Sequence, residues 1–258
     1  MNGLFLATVF HLSVAFFLLG MGWRCLGWLR APVPLKIPLT PGPKTRVGVA
    51  ARLAGETIAF RSLFRAAPGL WVVAWLFHLS LVLLLIGHFG GLVAPKFSQR
   101  LLGLTAEQFT AQAQLSGGAI GILAAASLLG LLLRRIASKP LRAISTAGDF
   151  FLLLLLLLIV ATGLAMRFAG QIDLREARAF VSGMRDFKSA VPSPDSVFTT
   201  HLLLVCALLV YAPFSKLVHM AGVFFNPALN QTNTPRERRH IGSGLGPARV
   251  VFPPAKTP

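Results

Sequence analysis

The chain has 258 residues, 55% hydrophobic and only 13% charged, with a mean hydropathy of +0.70. That balance excludes a soluble globular protein, and the net charge of +17 lies between long apolar runs rather than in one patch suited to nucleic acid. The two cysteines, Cys25 and Cys206, lie far apart in apolar runs and no C-x-x-C-H occurs, which excludes a Cys-ligated iron–sulfur cluster and covalent c-type haem attachment within this chain.

A hydrocarbon core about 30 Å thick takes roughly 20 apolar residues of helix to cross, and five stretches meet that length. The first, Leu4 to Trp28, has no basic n-region and reads as a span rather than a cleavable signal peptide. A proline-rich loop follows, and the run from Ala50 to Arg65 has the pattern of a short amphipathic interfacial helix. The second span is Gly69 to Leu92, the third Gly117 to Leu133, the fourth Asp149 to Met166 and the fifth Thr200 to Phe225. Glycines within or beside these spans (Gly87, Gly90, Gly91, Gly117, Gly118, Gly121) would let helices or a flat macrocycle approach the backbone closely. From Asn226 the chain is rich in Pro, Gly, Asn and Arg, without apolar periodicity, and reads as extended or ordered by a partner. The expected fold is an all-α integral membrane protein, a five-helix bundle over residues 1–225 with a basic tail over residues 226–258.

Basic residues fix the expected orientation. The first loop carries Arg30, Lys36, Lys44, Arg46, Arg52, Arg61 and Arg65; the third carries Arg134, Arg135, Lys139 and Arg142; the tail carries Arg236, Arg238, Arg239, Arg249 and Lys256. The second loop has only Lys96 and Arg100, and the fourth balances its basic residues with Asp173, Glu176, Asp186 and Asp195. The positive-inside rule then places the N-terminus outside and the C-terminus in the cytoplasm, as five spans require. Anionic lipid or a cytoplasmic partner would share that basic face.

Four histidines lie in two spans: His78 and His88 in the second, His201 and His219 in the fifth. An imidazole is unfavourable in hydrocarbon unless something binds it. The two spans run in opposite directions, so matching by depth pairs His88 with His201 toward the outside and His78 with His219 toward the cytoplasm. Two such pairs would serve as axial ligands for two haem groups. Ten helical residues rise about 15 Å and eighteen about 27 Å, so the separations disagree for ideal rods; Pro213, between His201 and His219, is positioned to kink the fifth span. Eighteen residues of unbroken helix would put His201 and His219 on one face. The competing readings are core histidines hydrogen-bonded to neighbouring helices, or a haem-free anchor or proton relay, for which only Asp149 is an acid near a span. His11 has no depth-matched partner and reads as a packing or hydrogen-bonding residue, with a contact to quinone as the other option; His240 falls in the tail. Arg134 and Arg135 read as interfacial anchors or, alternatively, as partners for propionates of an inner haem. Trp23, Trp28, Trp71 and Trp75 sit near span ends, as an aromatic belt would.

The segment from His78 to His88 followed by Phe-Gly-Gly, the link from Arg134 to Asp149, and His201 with Pro213-Phe-Ser-Lys-Leu-Val-His219 together resemble the gamma subunit family of respiratory nitrate reductases, dihaem cytochromes b. The resemblance covers roughly Trp71 to His240. It implies two haem b groups, one held by His88 and His201 and one by His78 and His219. It also implies quinol chemistry beside the outer haem, a cytoplasmic iron–sulfur partner subunit, and a multi-pass location in the cytoplasmic (inner) membrane of a bacterium or archaeon. At the position of the family's quinol-associated lysine this chain has Gln108; Lys96 and Arg100 read as interfacial charges or, alternatively, as substitutes for that lysine. The tail, with Phe225-Asn-Pro and the run from Asn233 to His240, is similar to membrane cytochromes of the sulfur-metabolism branch, such as the cytochrome b subunit of the Dsr membrane complex. That branch implies a heterodisulfide-reductase-like partner in place of a nitrate-reductase beta-like one.

Overall fold

A computed structural model describes residues 3–31, 41–169, 174–185 and 196–233. Every regular element among them is helical. Five are long and apolar enough to cross a membrane: α1 (Gly3–Arg30); α4 (Pro68–His88), whose span continues to Val93; α6 (Ala106–Ala137); α8 (Ala147–Phe168); and α10 (Ser196–Tyr211), whose span continues to Phe214. Large apolar side chains stay exposed along them, among them Leu12, Leu19, Trp23, Leu83, Leu129 and Leu158. Such outward-facing side chains suit a hydrocarbon solvent.

The spans pack in the order α4, α6, α8, α10, α1. Small residues bring α6 and α8 together: a Cβ on Gly121 would lie 2.7 Å from Leu164, and one on Gly118 would lie 3.3 Å from Phe168. Gly90 approaches Ser98, whereas a Cβ at Gly87, Gly91 or Gly117 would meet nothing within 4 Å. Close helix approach therefore explains only part of the glycine set. Phe77, Leu128 and Leu156 form the core between α4, α6 and α8, with Leu208 of α10 against it.

The short elements sit at the two ends. The basic first loop folds into α2 (Arg46–Ile58) and α3 (Arg61–Ala66), close to the expected interfacial helix. The indoles of Trp71 and Trp75 donate to the carbonyls of Ala59 and Ile58 at 2.8 and 2.9 Å, so these two tryptophans tie that loop to α4 as well as marking a span end. At the opposite end a π-helical turn (Phe89–Val93) follows α4 and leads into α5 (Pro95–Leu102). The short α7 (Lys139–Ala143) links α6 to α8.

Two elements exceed the sequence expectation. The third span begins at Ala106 rather than Gly117, because Thr105 and Gln108 close a capping box and start the helix in a polar stretch. The fourth loop contains α9 (Leu174–Arg185), whose Ala177, Phe180 and Met184 are buried, the last two against Leu6 and Ala7 of α1.

The fifth span departs most from a simple rod. It ends as α-helix at Tyr211 and passes through two 3₁₀ turns, Ala212–Phe214 and Lys216–Val218, before α11 (His219–Phe225). Pro213 lacks the N–H that would continue the helix, and Ser215 between the turns is extended (φ −105°, ψ 177°). The expectation that His201 and His219 share one face of a continuous helix is therefore corrected. Two residues of α1 cradle the break: Gly20 lets the Pro213 ring approach so closely that a Cβ would lie 2.7 Å from it, and Arg24 Nε donates to the Pro213 carbonyl at 3.0 Å. Of the tail, residues 226–233 are described, and Asn233 N donates to the Pro43 carbonyl at 2.8 Å. His240 and the remaining tail arginines lie outside the described residues.

Candidate functional site

Helices α4 and α10 are not among the closely packed pairs, yet all four span histidines meet across them and the break below α10. The rings of His88 and His201 have centroids 6.4 Å apart and are nearly parallel, at 9°. Those of His78 and His219 lie 6.0 Å apart at 80°. The depth argument paired the same residues. The break after Pro213 lets a segment with mismatched spacing do this, since the eighteen residues from His201 to His219 need not follow one helix axis.

Each ring is oriented through Nδ1. His78 bonds the carbonyl of Ala74, His88 that of Leu84 and His219 that of Lys216, all at 2.7 Å. A carbonyl only accepts, so Nδ1 carries the proton in all three rings and neutral Nε2 keeps its lone pair. His201 Nδ1 instead donates to Thr162 Oγ1 of α8 at 2.9 Å, while that hydroxyl is turned toward the carbonyls of Leu158 and Ile159 at 2.8 and 2.9 Å. Holding one imidazole nitrogen to a protein acceptor fixes the tautomer and raises the basicity of the other, as metal-ligating histidines require.

The pair spacing tests what could sit between the rings. With metal–nitrogen bonds of about 2 Å, two imidazoles on opposite sides of one metal have ring centres roughly 6 Å apart, against 6.0 and 6.4 Å here. Among the described residues no three His, Cys, Asp or Glu side chains gather into a metal-holding group. A metal at either pair would take its remaining donors from outside these side chains, and haem supplies four. The residues present fit that group.

The surroundings of the two pairs differ. Phe60 and Phe77 stand edge-on to His78, at 5.0 and 5.1 Å between centroids. Among the described residues Phe60 is the one non-glycine residue held at positive φ (48°), between α2 and α3; sequence offers no signal for such a conformation. Near His88, the π-helical turn, α5 and α9 enclose a cleft of about 560 Å³ lined by Lys96, Phe97, Arg178 and Ser182 among others. Arg178 Nε donates to the Gly91 carbonyl at 2.8 Å, and its guanidinium lies 5.9 Å from the centre of the Phe109 ring. Lys96 thus borders the cleft at the turn that follows His88, while Gln108 is occupied in capping α6.

The other candidates fall elsewhere. His11 bonds the Ala7 carbonyl of its own helix at 2.7 Å and is in neither pair. Arg135 donates to Ser145 Oγ at 2.7 Å and lies 3.5 Å from the Asp149 carboxylate, so its guanidinium is engaged at the start of α8. Arg134, one residue earlier, is exposed. Asp149 is 5% exposed and also accepts from Lys216 Nζ at 2.8 Å and Thr146 N at 3.0 Å. Sequence reasoning passed over Thr162, Lys216, Gly20 and Arg24, each of which acts through a contact between distant segments.

Comparisons with known proteins agree with this architecture. The family model for the nitrate reductase gamma subunit matches residues 59–230. The Hdr-like menaquinol oxidoreductase cytochrome b-like subunit of Archaeoglobus fulgidus is 33% identical over 90% of this chain and 80% of its own length, and its counterpart in Archaeoglobus profundus is 30% identical over the same shares. The respiratory nitrate reductase 1 gamma chain of Escherichia coli is 30% identical over 60% of this chain and 72% of its own length. The chain belongs to the nitrate reductase gamma subunit family.

Proposed function

We propose that this chain is a dihaem cytochrome b, the membrane subunit of a redox complex that exchanges electrons between quinone and a cytoplasmic iron–sulfur partner. The observation that carries the proposal is the pair of ring separations, 6.0 and 6.4 Å, each with Nδ1 held and Nε2 left to ligate. His88 and His201 would hold one haem b, and His78 and His219 the other. Bound there, the two groups would supply one-electron redox chemistry at two depths in the membrane. The chain's own part is to orient four imidazoles, surround them with apolar helix and offer charged surfaces at the ends.

The relatives whose similarity runs over nine-tenths of this chain are described as menaquinol oxidoreductase subunits of Hdr-like type. They favour a heterodisulfide-reductase-like partner and a menaquinone-class substrate over nitrate reductase proper, which remains the second reading through the shorter match to the Escherichia coli chain. The orientation proposed from charge puts Arg46, Arg52, Arg61, Arg65, Lys139 and Arg142 at the cytoplasmic end, where an acidic face of the partner would dock. The tail over residues 226–258 would extend the same basic surface. Arg134, exposed beside that end, is the better placed of the two arginines for a propionate. Quinol oxidised at the outer end would release two protons there for every two electrons passed inward. A cytoplasmic membrane provides this geometry.

The test is reduction by substrate. A soluble menaquinol analogue added to the purified oxidised protein should produce the reduced b-type absorption spectrum within seconds, as dithionite does. Reduction by dithionite but not by any quinol would show that quinol is not the electron donor.

A further inference from the structure

We infer that Asp149 and Lys216 form a positioning pair for His219, locking its imidazole to the start of α8; the inference rests on the proposal that His219 would hold haem. His219 Nδ1 donates to the backbone carbonyl of Lys216 at 2.7 Å, while the Lys216 ammonium donates to the Asp149 carboxylate at 2.8 Å. One residue thus holds the imidazole by its main chain and the neighbouring helix by its side chain. The segment needs such a hold, because from Ala212 to Val218 it consists of two 3₁₀ turns around an extended Ser215 and has no continuous helical ladder. Ser215 Oγ accepts from Leu217 N at 3.1 Å and donates to the Ala212 carbonyl at 3.0 Å, which shapes the turn locally but attaches it to no other helix. Attachment comes from Arg24 at Pro213 on one side and from Asp149 at Lys216 on the other.

Asp149 is suited to that task. Its carboxylate is 5% exposed, whereas Lys216 is 67% exposed, so the lysine reaches in from the surface to an acid already fixed in the bundle. The Thr146 amide and the Arg135 guanidinium hold the same oxygen, at 3.0 and 3.5 Å. A buried carboxylate with several donors keeps its place, and a partner bonded to it inherits that rigidity. His88 and His201 have no connection of this kind, being oriented by their own helix and by Thr162. The pair therefore acts on one site only.

Two variants test the inference on the whole protein in detergent, read by electron paramagnetic resonance of the oxidised haems and by redox titration of each. Asp149→Asn removes the charge but also weakens the α8 cap; Lys216→Met leaves the cap intact and breaks only the pair. Both are expected to shift the low-spin signal and midpoint potential of one haem and leave the other unmoved. The double variant should add nothing to the larger single effect, and Asp149→Glu should restore part of the wild-type signal. If Asp149→Asn fails to accumulate, Lys216→Met decides alone. Unchanged signals in Lys216→Met, or equal shifts of both haems, would overturn the inference. A wild-type protein without haem would instead overturn the functional proposal beneath it.

Discussion

Replacing His88 or His201 with alanine is expected to lower the haem content from two per chain to about one, and the haem that survives should be the same in both variants. His78→Ala and His219→Ala should likewise leave about one, with the other spectrum and potential. The reason is geometric. Each pair closes at about the separation that one metal imposes, while residues of different pairs belong to different depths of the bundle. The two pairs also differ in ring geometry, nearly parallel at 9° and nearly perpendicular at 80°. Perpendicular imidazoles leave the iron d orbitals close in energy and parallel ones split them, so the two haems should give distinct low-spin resonances. The more anisotropic of the two is expected from the pair His78 and His219. Extraction of haem as its pyridine complex, with electron paramagnetic resonance on each variant, checks both statements. Equal loss of both haems in all four variants would leave the pairing without support.

The second large effect is expected far from any ligand. Gly20→Leu should destabilise the protein and strip haem from the inner pair, because its Cβ would lie 2.7 and 2.8 Å from the stiff Pro213 ring. Nothing in a pyrrolidine ring yields as a flexible side chain does, so α1 must move away, and Arg24 then loses its 3.0 Å bond to the Pro213 carbonyl. Overpacking of this kind costs about 1–3 kcal/mol, and the displaced segment carries His219. Gly22→Leu, at a position where a Cβ meets nothing within 4 Å, is the matched control and should keep wild-type stability and haem. Melting temperature in detergent and haem-to-protein ratio measure the outcome.

These two expectations differ in how far the sequence alone leads to them. The histidine pairs are legible from hydropathy, because successive spans of opposite direction assign each residue a relative depth and four polar rings in apolar spans call for a partner. The five spans are legible for the same reason. What stayed hidden was either a spacing left unread or a contact between distant segments that no spacing reveals. The start of α6 lay in a polar stretch, although Thr105 and Gln108 at cap spacing marked it. The spacing of Ala177, Phe180 and Met184 marked α9 in a loop read only for its charge. Pro213 announced a kink but not that the helix would stop, nor that Gly20 and Arg24, four apart on α1, would receive it. Thr162 had no local signature, and Asp149, visible as an acid near a span and at cap spacing from Thr146, gave no sign of its lysine partner, which only the fold of the distant Lys216 segment brings to it.

The position of the family's quinol-associated lysine illustrates the same limit. Gln108 departs from the family pattern and has a structural task in the α6 cap, whereas Lys96 borders the cleft that follows His88.

The central claim is that this one chain holds two b-type haems between histidine pairs. Quantifying haem and protein in the purified, folded wild-type chain tests it most directly. The expected content is near two non-covalent haem b per chain, with a reduced-minus-oxidised b-type spectrum. Correctly folded protein from haem-replete cells with no Soret absorbance would contradict it.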